Sequence, residues 1–198
     1  MCHAVNKAKE LRPLLEKATV VVIGPGLGRQ SWGEALWETL IECQLPMVVD
    51  ADALNFLAKR PIQHLNWILT PHPGEAGRLL ETDVTAIQRD RFTAVKNLQT
   101  RFGGVAVLKG AGTLIADGIQ PIAVCAMGNP GMASGGMGDV LSGVLGGLIA
   151  QGLSLSEAAR LGVLLHSTAA DRAAEEGGER GLLAMDVVKK LRGVVNGV

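Results

Sequence analysis

The sequence predicts an α/β protein whose sheet is mainly parallel and ends in an antiparallel hairpin. Short β-branched runs alternate with longer segments of helical spacing, which is typical of this class. The runs are continuously apolar, as expected of strands that are buried on both faces. The 198 residues, of which 47% are apolar and 19% charged, suffice for a domain with a substantial core. We therefore treat residues 1–198 as one domain.

Four strands are predicted between residues 19 and 109, each a compact apolar run bounded by turn residues. They lie at 19–24, 46–50, 67–70 and 104–109. Segments with helical spacing lie between them at 32–42, 53–58 and 84–102. Repetition of strand, helix and strand implies right-handed crossovers, so these four strands should be parallel.

The pattern changes after residue 109. Two short apolar runs, TLIADG and PIAVCAMG, flank the turn signal Asp117-Gly118 and predict an antiparallel hairpin at one edge of the sheet. Helical segments follow at 139–151 and 154–176, the second of which opens on the capping box SLSE. Asp186 is expected to start a last helix.

The charge balance and composition exclude several classes of protein. Nineteen Lys and Arg balance nineteen Asp and Glu, so no net field attracts nucleic acid or an anionic membrane. No apolar run reaches the ~18 residues of a membrane helix, and the first residues lack the apolar core of a signal peptide. The three cysteines, Cys2, Cys43 and Cys125, are expected to be reduced, buried thiols. We expect a cytoplasmic protein without a nucleic-acid or membrane partner.

Glycine is over-represented: its 26 occurrences make up about 13% of the 198 residues, against a usual fraction of about 7%. Unusual segments, most of them glycine-containing, follow the four predicted parallel strands: GPGLG (24–28), DADALN (50–55), TPHPGE (70–75) and KGAGT (109–113). Ligands of open α/β sheets bind beyond the carboxyl ends of the strands. We therefore expect the functional site at this edge of the sheet.

A further glycine-rich segment, GNPGMASGGMGD (128–139), directly precedes an apolar helix. Its residues Gly135, Gly136, Met137 and Gly138 would expose backbone N–H groups at the helix N-terminus, which suits a phosphate. Asp139 lies in the first turn of the same helix and is placed to accept a proton from an attacking hydroxyl. The alternative is that Asp139 only caps the helix.

These five segments, in this order, resemble those of the ADP-dependent NAD(P)H-hydrate dehydratase family, whose fold is ribokinase-like with three α/β/α layers. The resemblance covers the chain from Thr19 onward. It implies that ADP, or ATP in some members, phosphorylates the 6-hydroxyl of hydrated NADH or NADPH (NADHX or NADPHX). Loss of phosphate then restores the ring double bond, which gives NAD(P)H, AMP and phosphate. The implied cofactor is Mg²⁺, held chiefly by the nucleotide phosphates.

The resemblance also implies roles for individual residues. Asp139 corresponds to the base, and Gly138 with its neighbours to the anion hole for the transferred phosphoryl group. The substrate-binding residues would be Gly26, Gly28 and His72, together with Asp139. The nucleotide-binding residues would be Lys109, Gly110, Ala111, Gly112 and Thr113, together with Gly138.

Several of these assignments have a structural alternative. Lys109 is otherwise a solvated lysine between two strands, and a histidine such as His72 is more often structural. Glu75 resembles an acidic residue that orients magnesium-bound water near the phosphates, but an acid is also favoured in the first turn of any helix. Asp52 and Asn55 are candidates for organising the cleft, although Asn55 equally fits a turn.

Members of the family carry a longer segment before the position of Thr19, so we expect a truncated domain. Its first strand should then lie at an exposed or partner-covered edge of the sheet. The resemblance further implies a homo-oligomer and an epimerase domain or partner. Two other functions stay open: a ribokinase-like kinase for a vitamin precursor or sugar, which would leave a stable phosphoester, and a non-catalytic nucleotide-binding fragment.

Overall fold

The computed structural model describes residues 1–197 and contains one six-stranded sheet in the order β1-β2-β3-β4-β5-β6. Neighbouring strands from β1 to β4 are parallel, whereas β5 is antiparallel to both β4 and β6. The mainly parallel sheet with its terminal hairpin is therefore confirmed. The strands are β1 (Val21–Ile23), β2 (Met47–Val49), β3 (Trp67–Leu69), β4 (Val105–Leu108), β5 (Thr113–Ala116) and β6 (Ala123–Cys125).

Helices connect the strands and extend to the end of the described chain. They are α1 (Arg12–Leu15), α2 (Ser31–Leu40), α3 (Ala51–Lys59), α4 (Pro73–Leu79), α5 (Val84–Arg89), α6 (Arg91–Phe102), α7 (Met137–Ala150), α8 (Leu155–Gly177) and α9 (Ala184–Asn196). Short 3₁₀ helices occupy Ala8–Glu10 and Pro130–Met132.

The helices cover both faces of the sheet. On one face, Met47 and Val49 of β2 belong to the same core as buried side chains of α2, α3, α4 and α6. On the other face, Val48 belongs to a core shared with α7 and α8. Successive residues of a strand point to opposite faces, so this alternation places the sheet between two helical layers. The structure therefore has three α/β/α layers.

The first strand lies at the edge of the sheet, as the sequence predicts. The expectation that all parallel strands are buried on both faces is wrong for this strand, because Val22 is 42% exposed. Val22 borders α7 closely, since a Cβ added at Gly146 would lie 2.5 Å from its Cγ2. The close approach of β1 and α7 therefore requires glycine at this position.

The predicted helices at 32–42, 53–58, 139–151 and 154–176 are present with ends shifted by one or two residues, whereas the crossover between β3 and β4 differs more. The segment 84–102 forms two helices, because Asp90 adopts a non-helical conformation (φ −142°, ψ 81°) and its carboxylate accepts the Thr93 N–H at 2.9 Å. Asp90 thus caps a new helix inside a continuous helical pattern. The crossover between β3 and β4 also contains α4, which the apolar periodicity did not reveal.

A buried polar cluster fastens the terminal hairpin to α8. One oxygen of Asp117 accepts the N–H groups of Ile119 and Gln120 at 2.9 and 2.8 Å. The other accepts the Ser156 hydroxyl and lies 3.4 Å from an Arg160 nitrogen. Burial alone would raise the pKa of Asp117, but these donors outweigh it and lower the pKa to about 2.

The cysteines are only partly as expected. All three are free, but Cys2 is exposed and Cys43 partly buried, so only Cys125 is a buried thiol. Cys2 lies near the chain terminus, where few side chains are available to cover it. No helix within residues 1–197 is long and apolar enough to cross a membrane.

Candidate active site

The residues that directly follow the four parallel strands meet at one edge of the sheet. They are Gly24, Asp50, Thr70 and Lys109. Backbone hydrogen bonds continue past the strand ends, since Asp50 N–H donates to Ile23 and Thr70 N–H to Val49 at 3.0 and 3.1 Å. The carboxyl ends of the parallel strands, where the sequence predicts the functional site, therefore form a continuous, ordered surface.

Asp50 lies at the centre of this edge and is only 1% exposed. Its Oδ1 accepts the Lys109 Nζ and the Ala51 N–H, at 2.8 and 2.9 Å, and its Oδ2 accepts the Ser142 hydroxyl at 2.8 Å. Burial opposes ionisation, but Lys109 and the hydroxyls of Ser142 and Thr70 together hold the pKa of Asp50 below its usual range. The site thus contains a buried, ionised carboxylate whose two oxygens are engaged by Lys109 and Ser142.

Lys109 lies between this carboxylate and the start of α7. Its side chain is 20% exposed, so the alternative of a solvated lysine is wrong. A Cβ added at Gly138 would lie 3.1 Å from Lys109 Nζ and 3.4 Å from Asp50 Oδ2. Glycine at position 138 therefore leaves room directly beside the ammonium group, where an anion would bind.

The first turn of α7 faces the same place. Gly136 is its N-cap residue in the left-handed conformation (φ +85°), and Val140 N–H makes the first helical bond, to Gly136, at 3.1 Å. The N–H groups before Val140 have no helical acceptor, so they are available to an anion, as the anion hole predicted at positions 135–138 requires. Gly135 precedes them in open space, and Met137 is buried at 5% exposure.

Asp139 is exposed in this first turn. The cap is Gly136, so the alternative that Asp139 caps the helix is wrong. Among residues 1–197, its carboxylate has no hydrogen-bond or ion-pair partner. A carboxylate that lies on an ordered helix and has no partner of its own can accept a proton from a bound hydroxyl.

The glycine-rich segment before α7 is held by α8. Both carboxylate oxygens of Asp171 accept from it, one from Gly128 N–H and one from the Asn129 side chain, at 2.8 and 2.9 Å. Farther along, the Ser134 hydroxyl donates to the Leu182 carbonyl at 3.0 Å. The sequence analysis did not identify Asp171, because its helical position carries no local signal.

The loop 109–113 is held from behind by Arg91, which the sequence analysis also missed. The guanidinium donates to the carbonyls of Leu108 and Lys109 at 3.2 and 3.3 Å, and to that of Ala111. Gly110 has φ +140°, and a Cβ there would lie 3.0 Å from Arg91 Nη2. Of the predicted nucleotide-binding residues, Gly110 thus has a conformational reason to be glycine. The hydroxyl of Thr113 closes the loop on Gly110 O at 3.1 Å.

His72 and Glu75 form a reciprocal cap at the start of α4. His72 Nδ1 accepts the N–H groups of Gly74 and Glu75 at 2.9 and 3.3 Å, and a Glu75 oxygen accepts the His72 N–H at 2.8 Å. Burial is the main cause of the lowered pKa of His72, and Lys109 contributes its positive charge. His72 is therefore a neutral imidazole with an exposed edge, and Glu75, only 7% exposed, is engaged in the cap.

The loop after β1 is organised by Asp52. Its Oδ2 accepts the Gly28 N–H at 3.0 Å, and its Oδ1 lies 3.7 Å from Arg29 Nε. Gly26 and Gly28 adopt φ of +65° and +73° with open space around them. Asp52 therefore holds the loop at Gly28, whereas Asn55 lies inside α3 and the turn alternative is wrong for it.

Comparisons with known proteins agree with this geometry. A family model described as NAD(P)H-hydrate dehydratase matches residues 1–192. The bifunctional NAD(P)H-hydrate repair enzyme of Coxiella burnetii is 61% identical over 196 residues, which is 99% of this chain and 40% of that protein. The chain thus spans about two fifths of the length of this relative.

Solved structures show the same fold. The ADP/ATP-dependent NAD(P)H-hydrate dehydratase of Bacillus subtilis, co-crystallized with ATP and Mg²⁺ and soaked with CoA, superposes with a TM-score of 0.83 at 30% identity, over 90% of this chain and 66% of that one. A ribokinase-like protein of Enterococcus faecalis gives 0.81 at 26% identity, over 96% and 66%. The fold is therefore ribokinase-like, and the chain belongs to the NAD(P)H-hydrate dehydratase family.

Proposed function

We propose that this chain catalyses the ADP-dependent dehydration of the NADH and NADPH hydrates. ADP phosphorylates the hydroxyl of the hydrated nicotinamide ring, and elimination of phosphate regenerates the reduced coenzyme. One arrangement carries the proposal: the anion hole at 136–138 opens beside Lys109, and the unoccupied Asp139 carboxylate lies in the same helical turn. An epimerase, fused or separate, would widen the supply of the reactive hydrate epimer.

Asp139 is the proposed base. It would take the proton of the hydrate hydroxyl while the hydroxyl oxygen attacks the β-phosphorus of ADP, and AMP would leave. The N–H groups at 136–138 and the Lys109 ammonium would offset the charge on the transferred phosphoryl group. In the second step, the ring nitrogen supplies the electron pair that expels phosphate. The neighbouring ring carbon then loses a proton to the departing phosphate or to water, which forms the ring double bond and regenerates NAD(P)H.

The loop 109–113 is the proposed ADP site, since it lies beside the anion hole and is fixed by Arg91. The exposed edge of His72 and the Gly26–Gly28 loop would contact the hydrate. For an in-line transfer, the hydrate hydroxyl would approach the β-phosphorus of ADP from the side opposite the departing AMP oxygen.

The residues present do not form a protein cage for Mg²⁺. Within residues 1–197, no three His, Cys, Asp or Glu side chains converge on one metal position. Asp50 is paired with Lys109, and Glu75 accepts the His72 N–H. A magnesium ion that enters with the nucleotide would take its ligands from phosphate and water.

The decisive experiment incubates the full 198-residue chain with NADHX or NADPHX and ADP. We expect recovery of coenzyme absorbance together with AMP formation, and loss of both by at least about a hundredfold in Asp139→Asn, as for removal of a general base. A stable phosphoester without recovered absorbance would indicate a small-alcohol kinase instead. Binding of ADP without any turnover would indicate a non-catalytic fragment.

A further inference from the structure

A cavity of about 410 Å³ lies outside the catalytic residues described above, with Arg29, Asn55, Ala58, Lys59 and Arg78 lining it. Three of these five residues are cations, and none is acidic. We call it the basic cavity. Its volume lies within the usual range of small-ligand pockets.

The basic cavity adjoins the part of the site proposed to bind the hydrate. Arg29 directly follows Gly28 and contacts Asp52, which also holds the Gly28 N–H. Arg78 lies on α4, which begins at the His72 cap. Burial chiefly lowers the pKa of His72, and the charges of Lys109 and Arg78 lower it further, so the charge of Arg78 reaches the catalytic edge.

The cations of the cavity are largely uncompensated. Only Arg29 has an acidic partner among residues 1–197, with its Nε 3.7 Å from the Asp52 carboxylate. Lys59 lies 5.8 Å from the centre of the Phe56 ring, which does not neutralise its charge. In a chain with zero net charge, this group of cations gives a local positive potential that favours an anionic ligand.

Helix dipoles explain part of this pattern but not all of it. Lys59 and Arg78 lie in the last turns of α3 and α4, where a cation is favourable in any helix. Side chains of a helix lean toward its N-terminus, however, so both lean toward the carboxyl edge of the sheet. The dipole does not require them to line one cavity with Arg29, a loop residue.

We propose that the basic cavity binds a phosphate group of the dinucleotide substrate, which deepens the proposed function and rests on it. Guanidinium groups match phosphate oxygens in geometry and charge, and the Asn55 amide adds a polar group to the same wall. The cavity lies on the β1–β3 side of the site, whereas the loop proposed for ADP follows β4. Each of the two substrates would then have its own anion site.

The experiment measures the affinity of the full chain for NADPH and NADH, by their fluorescence on binding. The test variant combines Lys59→Gln and Arg78→Gln. The charge-matched control combines Lys96→Gln and Arg89→Gln, which are exposed residues of α6 and α5. We expect the test variant to bind the coenzyme at least about tenfold more weakly, as for loss of a charge-assisted contact. The test variant should bind ADP as tightly as the unaltered chain does. The control should bind both coenzymes as tightly as the unaltered chain does.

The pattern of the loss identifies the phosphate. Weaker binding of NADPH alone assigns the cavity to the 2′-phosphate, and equal weakening of NADPH and NADH assigns it to the pyrophosphate. If the test variant binds both coenzymes as well as the unaltered chain does, the cavity proposal is wrong and the proposed function stands. If the unaltered chain binds neither coenzyme and dehydrates neither hydrate, both proposals are overturned.

Discussion

Lys109 Nζ lies 2.8 Å from Oδ1 of Asp50, and this pair joins residues that are 59 positions apart at the carboxyl ends of two different strands. Asp50 is 2% and Lys109 20% exposed at the side chain, so water screens the pair weakly. The pair holds the ammonium group beside Gly138 before any ligand is present. We therefore expect its loss to affect both stability and nucleotide binding.

Replacing Asp50 by Asn should lower the free energy of unfolding by about 3 kcal/mol, because Lys109 then loses its partner in a largely buried place. Denaturant titration at neutral pH measures this loss. The matched control is Asp186→Asn, which breaks a solvent-exposed pair with Lys189 and should cost much less. Equal losses in the two variants would show that the buried pair has no special weight.

Replacing Gly138 by Ala should weaken ADP binding but have little effect on stability. Alanine is favourable within a helix, but its Cβ would lie 3.1 Å from Lys109 Nζ and must displace it. We expect a change in unfolding free energy of less than about 1 kcal/mol and an ADP affinity weaker by roughly tenfold or more. Gly143→Ala on the same helix, with open space around it, is the control and should leave ADP binding intact. Unchanged affinity in Gly138→Ala would place the nucleotide elsewhere.

Replacing Asp117 by Asn should weaken the fold in a pH-dependent way. The pKa of Asp117 is lowered from 3.8 to about 2, so its ionised form stabilises the folded state by on the order of 2 kcal/mol. This contribution is present above pH 3.8 and is lost as the pH falls toward about 2. Denaturant midpoints of the two proteins should therefore differ at pH 7 and converge in acid. A difference that persists at pH 2 would point to lost packing instead of lost charge.

Replacing Asp171 by Ala should release the segment before α7. The change frees Gly128 N–H and the Asn129 side chain, so residues 128–136 should exchange their amide hydrogens faster. Turnover of the hydrates should fall because the anion hole depends on the conformation of this segment. Hydrogen exchange with mass spectrometry measures the first effect. Protection of 128–136 equal to that of the unaltered chain would show that Asp171 does not order the segment.

The sequence predicts the part of the site that is local in the chain. Apolar runs followed by glycine or polar residues mark the carboxyl edge of the sheet, and the glycines before an apolar run mark the start of α7. Asp139 can be identified from the sequence because its proposed role depends only on its position in the first turn of α7. It lies three residues after Gly136, the N-cap residue, so this position is local in the chain.

The remaining features depend on tertiary contacts. Asp50 pairs with Lys109 and Asp171 with Gly128, across separations of 59 and 43 residues, and helical or strand periodicity carries no information about such pairs. The break at Asp90 is of another kind, since its carboxylate competes for backbone N–H groups within an otherwise helical pattern. Arg91, the next residue, thereby starts α6 and reaches the loop 109–111.

The Arg91 guanidinium donates to three carbonyl groups of the loop, and this determines which groups the opposite side of the loop exposes. In a trans peptide unit the carbonyl and the N–H point in opposite directions, so turning carbonyls inward turns the following amides outward. The Lys109 N–H donates to the Pro71 carbonyl at 2.9 Å, so the amides left facing away from Arg91 are those of Gly110 and Gly112. Arg91 would thereby prearrange these two donors for the proposed nucleotide without touching it. Its positive charge, placed behind the loop, adds to the potential that those donors present.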